Sequence, residues 1–173
     1  MNNNDKVEDS VATLDMEVNN EEEEIVADDE IVQIVSFSLL NEVEYGIDIL
    51  LIHEILRIVN ISRLPNTPDF IMGVINLRGK VIPVVNVRKR FGYTENEITE
   101  DTRIIVVGIE NKLIGLLVDK VFQVVRIPKN NISSPSELIE GVSAEFIQGV
   151  GRLKNKLLII LKLENMLFPE EAD

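Results

Sequence analysis

Cysteine is absent from this 173-residue chain. Its absence removes disulfide staples, thiolate nucleophiles and cysteine metal sites together. Histidine is nearly absent: His53 stands alone, so no multi-histidine metal site can form. Nucleophilic catalysis would need a serine set against that histidine, yet no G-x-S-x-G motif occurs. The nine glycines are scattered, and Gly149-Val150-Gly151 precedes an apolar strand-like run rather than a helix, so there is no phosphate loop. No run approaches the ~18 apolar residues that a spanning helix needs. The opening MNNNDKVEDS lacks the basic flank and apolar core of a secretory signal, which makes the cytoplasm the expected compartment. Asp48, Glu54 and Asp119 are the carboxylates that remain as candidates for pairing across strands, and most such groups are solvated or salt-bridged. Nothing in the sequence makes a positive case for catalysis, a metal or a cofactor.

Basic patches are also missing. Residues 1–30 hold 12 acidic residues against one lysine, a net of −11, while the remainder of the chain holds 18 acidic and 16 basic, a net of −2. The acidity therefore belongs to a tail, and the rest is nearly neutral. Neither part has the basic stripe, interleaved with aromatics, that would suit nucleic acid. An RNA-binding barrel is the reading these features disfavour. The tail, with Glu21-Glu22-Glu23-Glu24 toward its end, cannot bury enough apolar surface to offset the entropy of ordering, so residues 1–30 are expected to be disordered.

What is present, from Ile31 onward, is a series of short runs rich in Val, Ile and Leu. They are IVQIVSFSLL (31–40), HEILRIV (53–59), KVIPVVNV (80–87), RIIVVGIE (103–110), KLIGLLVD (112–119) and KLLIIL (156–161). Their lengths and β-branched content predict strands. Tight links such as Glu110-Asn111 predict hairpins. Many short strands with frequent turns suggest small barrels or a sandwich. Pro83 and edge charges are expected to protect exposed edges from unwanted pairing.

The chain also repeats itself. FIMGVINLRGK (70–80) returns in register as FIQGVGRLKNK (146–156). GIDILLIHEILRI (46–58) resembles GLLVDKVFQVVRI (115–127), and KVIPVVNVRKRF (80–91) matches KLLIILKLENML (156–167). A seven-residue insertion near SSPSELIEG separates the blocks of the second copy. Two related units of about 60 to 70 residues are implied, each marginal alone, so they are expected to pack together. In the first copy Thr67 is expected to cap a helical turn, with Pro68 at its first position and a left-handed Gly73 at its end. Ser143 and Gly149 take the cap and closing places in the second. A strand from Val74 then reverses at Arg78-Gly79, and its counterpart at Lys154-Asn155, where Gly and Asn tolerate positive φ. The copies differ at their tips: Asn76 and Arg78 stand where the second has Arg152 and Lys154.

The stretches EYGIDILLIHEI, ISRLPNTPDFIMGVINLRGKVIPVVNVRKRFG, TRIIVVGIENKLIGLLVDKV and EFIQGVGRLKNKLLIILKLENML resemble the CheW family of chemotaxis coupling proteins, over residues 31–168. The resemblance implies a mostly β fold, two five-stranded SH3-like β-barrels packed together with short helical turns. Residues 1–30 and 169–173 fall outside it as tails. It implies a non-catalytic adaptor that joins the cytoplasmic helical hairpin tip of methyl-accepting chemoreceptors to the regulatory domain of the histidine kinase CheA. That places it in the cytoplasm, associated with membrane receptor arrays, without inserting in the membrane or binding nucleic acid. An adaptor of this type in a receptor–kinase pathway outside chemotaxis is the alternative. Carried over by motif, Glu54 and Arg78 fall on polar positions that matter for coupling. Ile52, Val121 and Val124 fall on apolar positions of a groove and its nearby strands, and Gly73 and Asn76 belong to the same block. Such a groove would suit an amphipathic helical hairpin. Two positions depart from the family pattern, Asn86 and Lys162, where many relatives carry Asp; Asn86 can still cap a following turn, and Lys162 cannot.

Overall fold

The computed structural model describes residues 30–39, 43–94, 97–135 and 142–167. The expectations for the acidic tail, residues 1–30 apart from Glu30, and for the tail at 169–173 lie outside them. Among the described residues eleven strands run in chain order: β1 Ile31–Ser38, β2 Glu44–Asp48, β3 Ile52–Arg57, β4 Ile71–Leu77, β5 Lys80–Asn86, β6 Arg103–Ile109, β7 Lys112–Val118, β8 Lys120–Pro128, β9 Ile132–Ser133, β10 Ile147–Leu153 and β11 Lys156–Leu161. Short helices follow β5 and β11: α1 Val87–Arg90 and α2 Leu163–Leu167. The chain is mostly β, and each apolar run quoted above became a strand.

The strands form two mixed sheets that curl into the two barrels. One has the order β3-β6-β7-β5-β4, the other β8-β1-β2-β11-β10-β9. Laid over the sequence repeat, the orders coincide: β3, β6, β7, β5 and β4 take the places of β8, β1, β2, β11 and β10. The extra β9 also has a counterpart. Ser133 pairs with Val150 in β10, and in the first barrel an isolated bridge joins Ser62 to Val74, the repeat equivalent of Val150. A repeat is therefore not a barrel. The first repeat lends β1 and β2 to the second barrel, and the second lends β6 and β7 to the first, an exchange that no local sequence signal reports.

This interlocking explains why the runs are apolar almost throughout rather than alternating. Along β6, Ile104 and Val106 point into the first barrel with Ile75, Ile82 and Val84. Ile105, Val107 and Ile109 point the other way, into a seam shared with Phe37, Tyr45, Phe146 and Ile159 of the second barrel. A smaller cluster of Ile34, Val125, Ile127, Leu158 and Ile160 fills the second barrel. A strand buried on both faces carries apolar side chains at every position. Burying one such side chain is worth about 1.5–3 kcal/mol.

Several turn expectations need correction. Thr67 caps no helix: residues 68–71 make one turn, closed by Ile71 N–H donating to the Pro68 carbonyl at 3.0 Å. The Thr67 hydroxyl instead donates to the Leu64 carbonyl at 3.2 Å. Ser143 does precede a 3-10 turn, Ala144–Phe146, but its side chain makes no capping bond. The strand expected from Val74 begins at Ile71, with Gly73 inside it at a bulge. There φ is +145°, and a Cβ would lie 2.1 Å from the Ser62 carbonyl oxygen. Gly149 sits at the equivalent bulge without a positive φ; what it provides is room beside Ile132, whose Cγ2 a Cβ would meet at 2.6 Å. Arg78 and Gly79 do form a left-handed pair, φ 51° and 82°, as do Glu110 and Asn111, φ 51° and 65°. Lys154 and Asn155 do not, so the two hairpin tips differ in backbone as well as in charge.

Pro83 guards no edge, because β5 lies between β4 and β7. It is tolerated there because its cross-strand partner Val74 directs both backbone groups the other way, to Ser62, at 2.8 and 2.9 Å. Pairing with β7 begins one residue later, at Val84. Its missing N–H therefore leaves no gap in the ladder. Asn86 caps α1 as expected, its Oδ1 accepting from Lys89 N–H at 3.3 Å. In the second repeat only backbone closes the turn after Lys162, whose carbonyl accepts from Asn165 N–H at 3.2 Å.

Candidate functional site

The two outermost strands of the first sheet, β3 and β4, are brought together as the sheet curls. Two features close the gap between them. One is the Ser62–Val74 bridge. The other is a side-chain pair: Arg78 at the β4–β5 turn donates from Nη1 to Glu54 Oε1 at 3.0 Å and from Nη2 to Glu54 Oε2 at 3.2 Å. The left-handed turn aims Arg78 back across the opening. Asn76 holds that turn, its Oδ1 accepting from Gly79 N–H at 3.1 Å. The Arg78 side chain remains 73% exposed and that of Glu54 21%. A surface pair of this kind contributes at most about 1 kcal/mol to folding. It is, however, a preformed planar fork of opposite charges facing solvent.

The second barrel has no pair at the corresponding place. Repeat positions put Gln123 where Glu54 stands and Lys154 where Arg78 stands, and neither takes part in an ion pair among the described residues. The two barrels share a backbone plan and present different surfaces.

Ile52 and Val121 occupy the same place in the two repeats. Both are half-buried and pack against the seam cluster, one from each sheet. Val124 stands apart, 48% exposed on β8 beside the similarly exposed Phe122. Gly73 is buried and serves the backbone contact to Ser62. Of the seven residues singled out in the sequence, then, Glu54, Asn76 and Arg78 assemble into one polar cluster. Ile52 and Val121 border one seam, and Gly73 and Val124 join neither group.

The carboxylates considered for pairing are kept apart by separate duties. Asp48 Oδ1 accepts from Leu50 N–H at 3.0 Å, Glu54 binds Arg78, and Asp119 receives Arg88. That last pair was not foreseen. Arg88 on α1 is buried and donates from Nε to both Asp119 oxygens at 2.9 and 3.1 Å. Asp119 links β7 to β8, so the pair fastens one barrel to the crossing into the other. Near it, burial pushes the Tyr45 hydroxyl well above the usual phenol range; the Tyr93 hydroxyl at 3.4 Å adds to the effect and Arg88 opposes it. Sequence reading missed these contacts because partners 31 to 48 residues apart leave no spacing pattern. Among the described residues no three His, Asp or Glu side chains are grouped to hold a metal, and no helix is long and apolar enough to cross a membrane. A cleft of about 640 Å³ opens at the second barrel between Ile31, Leu50, Ile132 and Ile160, with its lysine, Lys129, paired to Glu30 at 3.3 Å.

Residues 33–170 match the family model described as "CheW-like domain". The chain is similar to the chemotaxis protein CheW of Klebsiella aerogenes, 37% identical over 135 residues, covering 78% of this chain and 81% of that protein. It is similar to the CheW of Treponema pallidum at 30% identity over 151 residues, 85% and 88% of the two chains. Among solved structures, the scaffolding protein TtCheW of Thermoanaerobacter tengcongensis superposes with a TM-score of 0.77 at 39% identity, covering 83% of this chain and 97% of that one.

Proposed function

The chain belongs to the CheW family of chemotaxis scaffold proteins, and from that premise we propose that it couples receptors to a histidine kinase without catalysing a reaction. One partner is the cytoplasmic helical hairpin tip of a chemoreceptor, the other the regulatory domain of the kinase CheA, in arrays on the cytoplasmic side of the membrane. The observation that carries this reading is the exposed Glu54–Arg78 fork, two residues along β3 from the apolar seam at Ile52. An amphipathic helix needs both elements: apolar contacts for affinity and a fixed pair of charges to set its register.

In this reading Ile52 and Val121 supply apolar contact and Glu54 and Arg78 select orientation. Asn76 and Gly73 keep the fork in place, the first through the turn and the second through the Ser62 contact. Val124, on the outer part of β8, belongs to the contact with a different partner from the one at the seam. The test is titration calorimetry of the full chain against a receptor signalling fragment and against the kinase regulatory domain. Binding to each is expected at roughly micromolar Kd, about −8 kcal/mol. Heat changes indistinguishable from dilution with both partners would overturn the proposal.

A further inference from the structure

The seam between the barrels holds a charged group with no part in the coupling surface. Six of the chain's eight aromatic residues gather there: Phe37, Tyr45, Phe70, Phe91, Tyr93 and Phe146. Arg90, on α1, reaches in among them. Its guanidinium carbon lies 4.8 Å from the Phe70 ring centroid and 4.6 Å from that of Phe146. Its Nε donates to the Met166 carbonyl at 2.7 Å.

These partners are not arbitrary. Phe70 and Phe146 are the same position in the two repeats, and so are Arg90 and Met166. Even the backbone bonds beside them correspond: Asn86 N–H donates to the Phe70 carbonyl at 2.7 Å, and Lys162 N–H to the Phe146 carbonyl at 2.8 Å. One side chain thus grips both repeats where they meet, and does so from one side only, since its counterpart Met166 is fully buried and its side chain only fills space. A planar guanidinium bound by two rings and a carbonyl has few orientations open to it, whereas a thioether in the same slot has many.

We propose that Arg90 is a positioning residue: it fixes the angle between the barrels, and through it the spacing of Ile52 from Val121. Those two residues lie on different sheets and touch the same seam, so their separation follows the seam's geometry. The geometric half of this inference stands alone; the half concerning docking rests on the coupling reading.

The absence of cysteine permits a direct test on the full chain. Spin labels at Val81→Cys and Leu157→Cys, both exposed and one on each barrel, report the distance between barrels. Arg90→Met is expected to broaden that distribution while secondary structure and cooperative melting are retained, and to weaken binding of the receptor fragment about fivefold. Arg90→Lys, which keeps the charge but not the fork, is expected to give an intermediate width, and it carries the test if Arg90→Met does not fold. An unchanged distribution in these variants overturns the clamp, as does loss of folding in both, which makes Arg90 merely structural. Broadening without any loss of affinity overturns its role in docking. If the wild-type chain binds neither partner, the coupling reading fails, and the distance widths still decide the clamp.

Discussion

Under the proposed coupling role, Arg78 matters for partner binding and little for folding. It sits at a hairpin tip with most of its side chain in water, so Arg78→Ala is expected to change stability by less than about 1 kcal/mol. Partner binding should nonetheless weaken severalfold by titration calorimetry; a large drop in melting temperature would show the residue to be structural. Exchanging the two charges, Glu54→Arg with Arg78→Glu, separates two roles. Restored binding would mean that the ion bond alone is needed, and continued loss that each charge meets a partner. Tyr45 gives the pH dependence. Its neutral phenol is favoured in the fold, so its stabilisation is complete below the unfolded value of about 10 and is lost as pH rises beyond it. Melting temperatures followed into alkali should fall for the wild type and fall less for Tyr45→Phe. The sequence displayed Arg78 openly, as the point where two repeat copies part. It hid Arg88, Arg90 and Tyr45, because their importance lies in partners supplied by distant segments.

At the scale of elements, the strands were readable because burial on both faces writes an apolar residue at nearly every position. The caps were less so. Thr67 and Ser143 have the right residue type in the right place, yet the backbone satisfies their turns without them. Gly73 shows which local signal was decisive. Its left-handed backbone was expected, but the nearness of Ser62 was not, and the second constraint is the harsher. Gly73→Ala is expected to cost more than about 2 kcal/mol, from strain and from the collision with a carbonyl. Gly79→Ala, with φ also positive but open space around it, should cost about 1 kcal/mol. Chemical denaturation of the two variants measures both. Arg88→Ala belongs here as well, because it leaves Asp119 at the joint between β7 and β8 without its main counter-charge. A loss of about 3 kcal/mol is expected, discounted from a fully buried pair because Asp119 is a quarter exposed.

For the whole molecule, the internal repeat revealed two units but not that they trade strands. Strand pairing between distant segments has no signature in either segment. The trade predicts cooperativity: neither repeat can unfold without withdrawing strands from both barrels, so calorimetry should show one unfolding transition, and two resolved transitions would contradict the interlocked core. It also sets a timetable for biosynthesis. Glu44 in β2 meets Lys156 of its neighbour β11 across 112 residues. At roughly 5–20 residues per second, a ribosome needs on the order of ten seconds to supply that partner. Until then β1 and β2 wait with bare hydrogen-bonding edges and uncovered apolar faces. A chain whose synthesis stops before β6 can complete neither barrel, so such prematurely ended products are expected to go to chaperones or proteolysis rather than persist as half an adaptor.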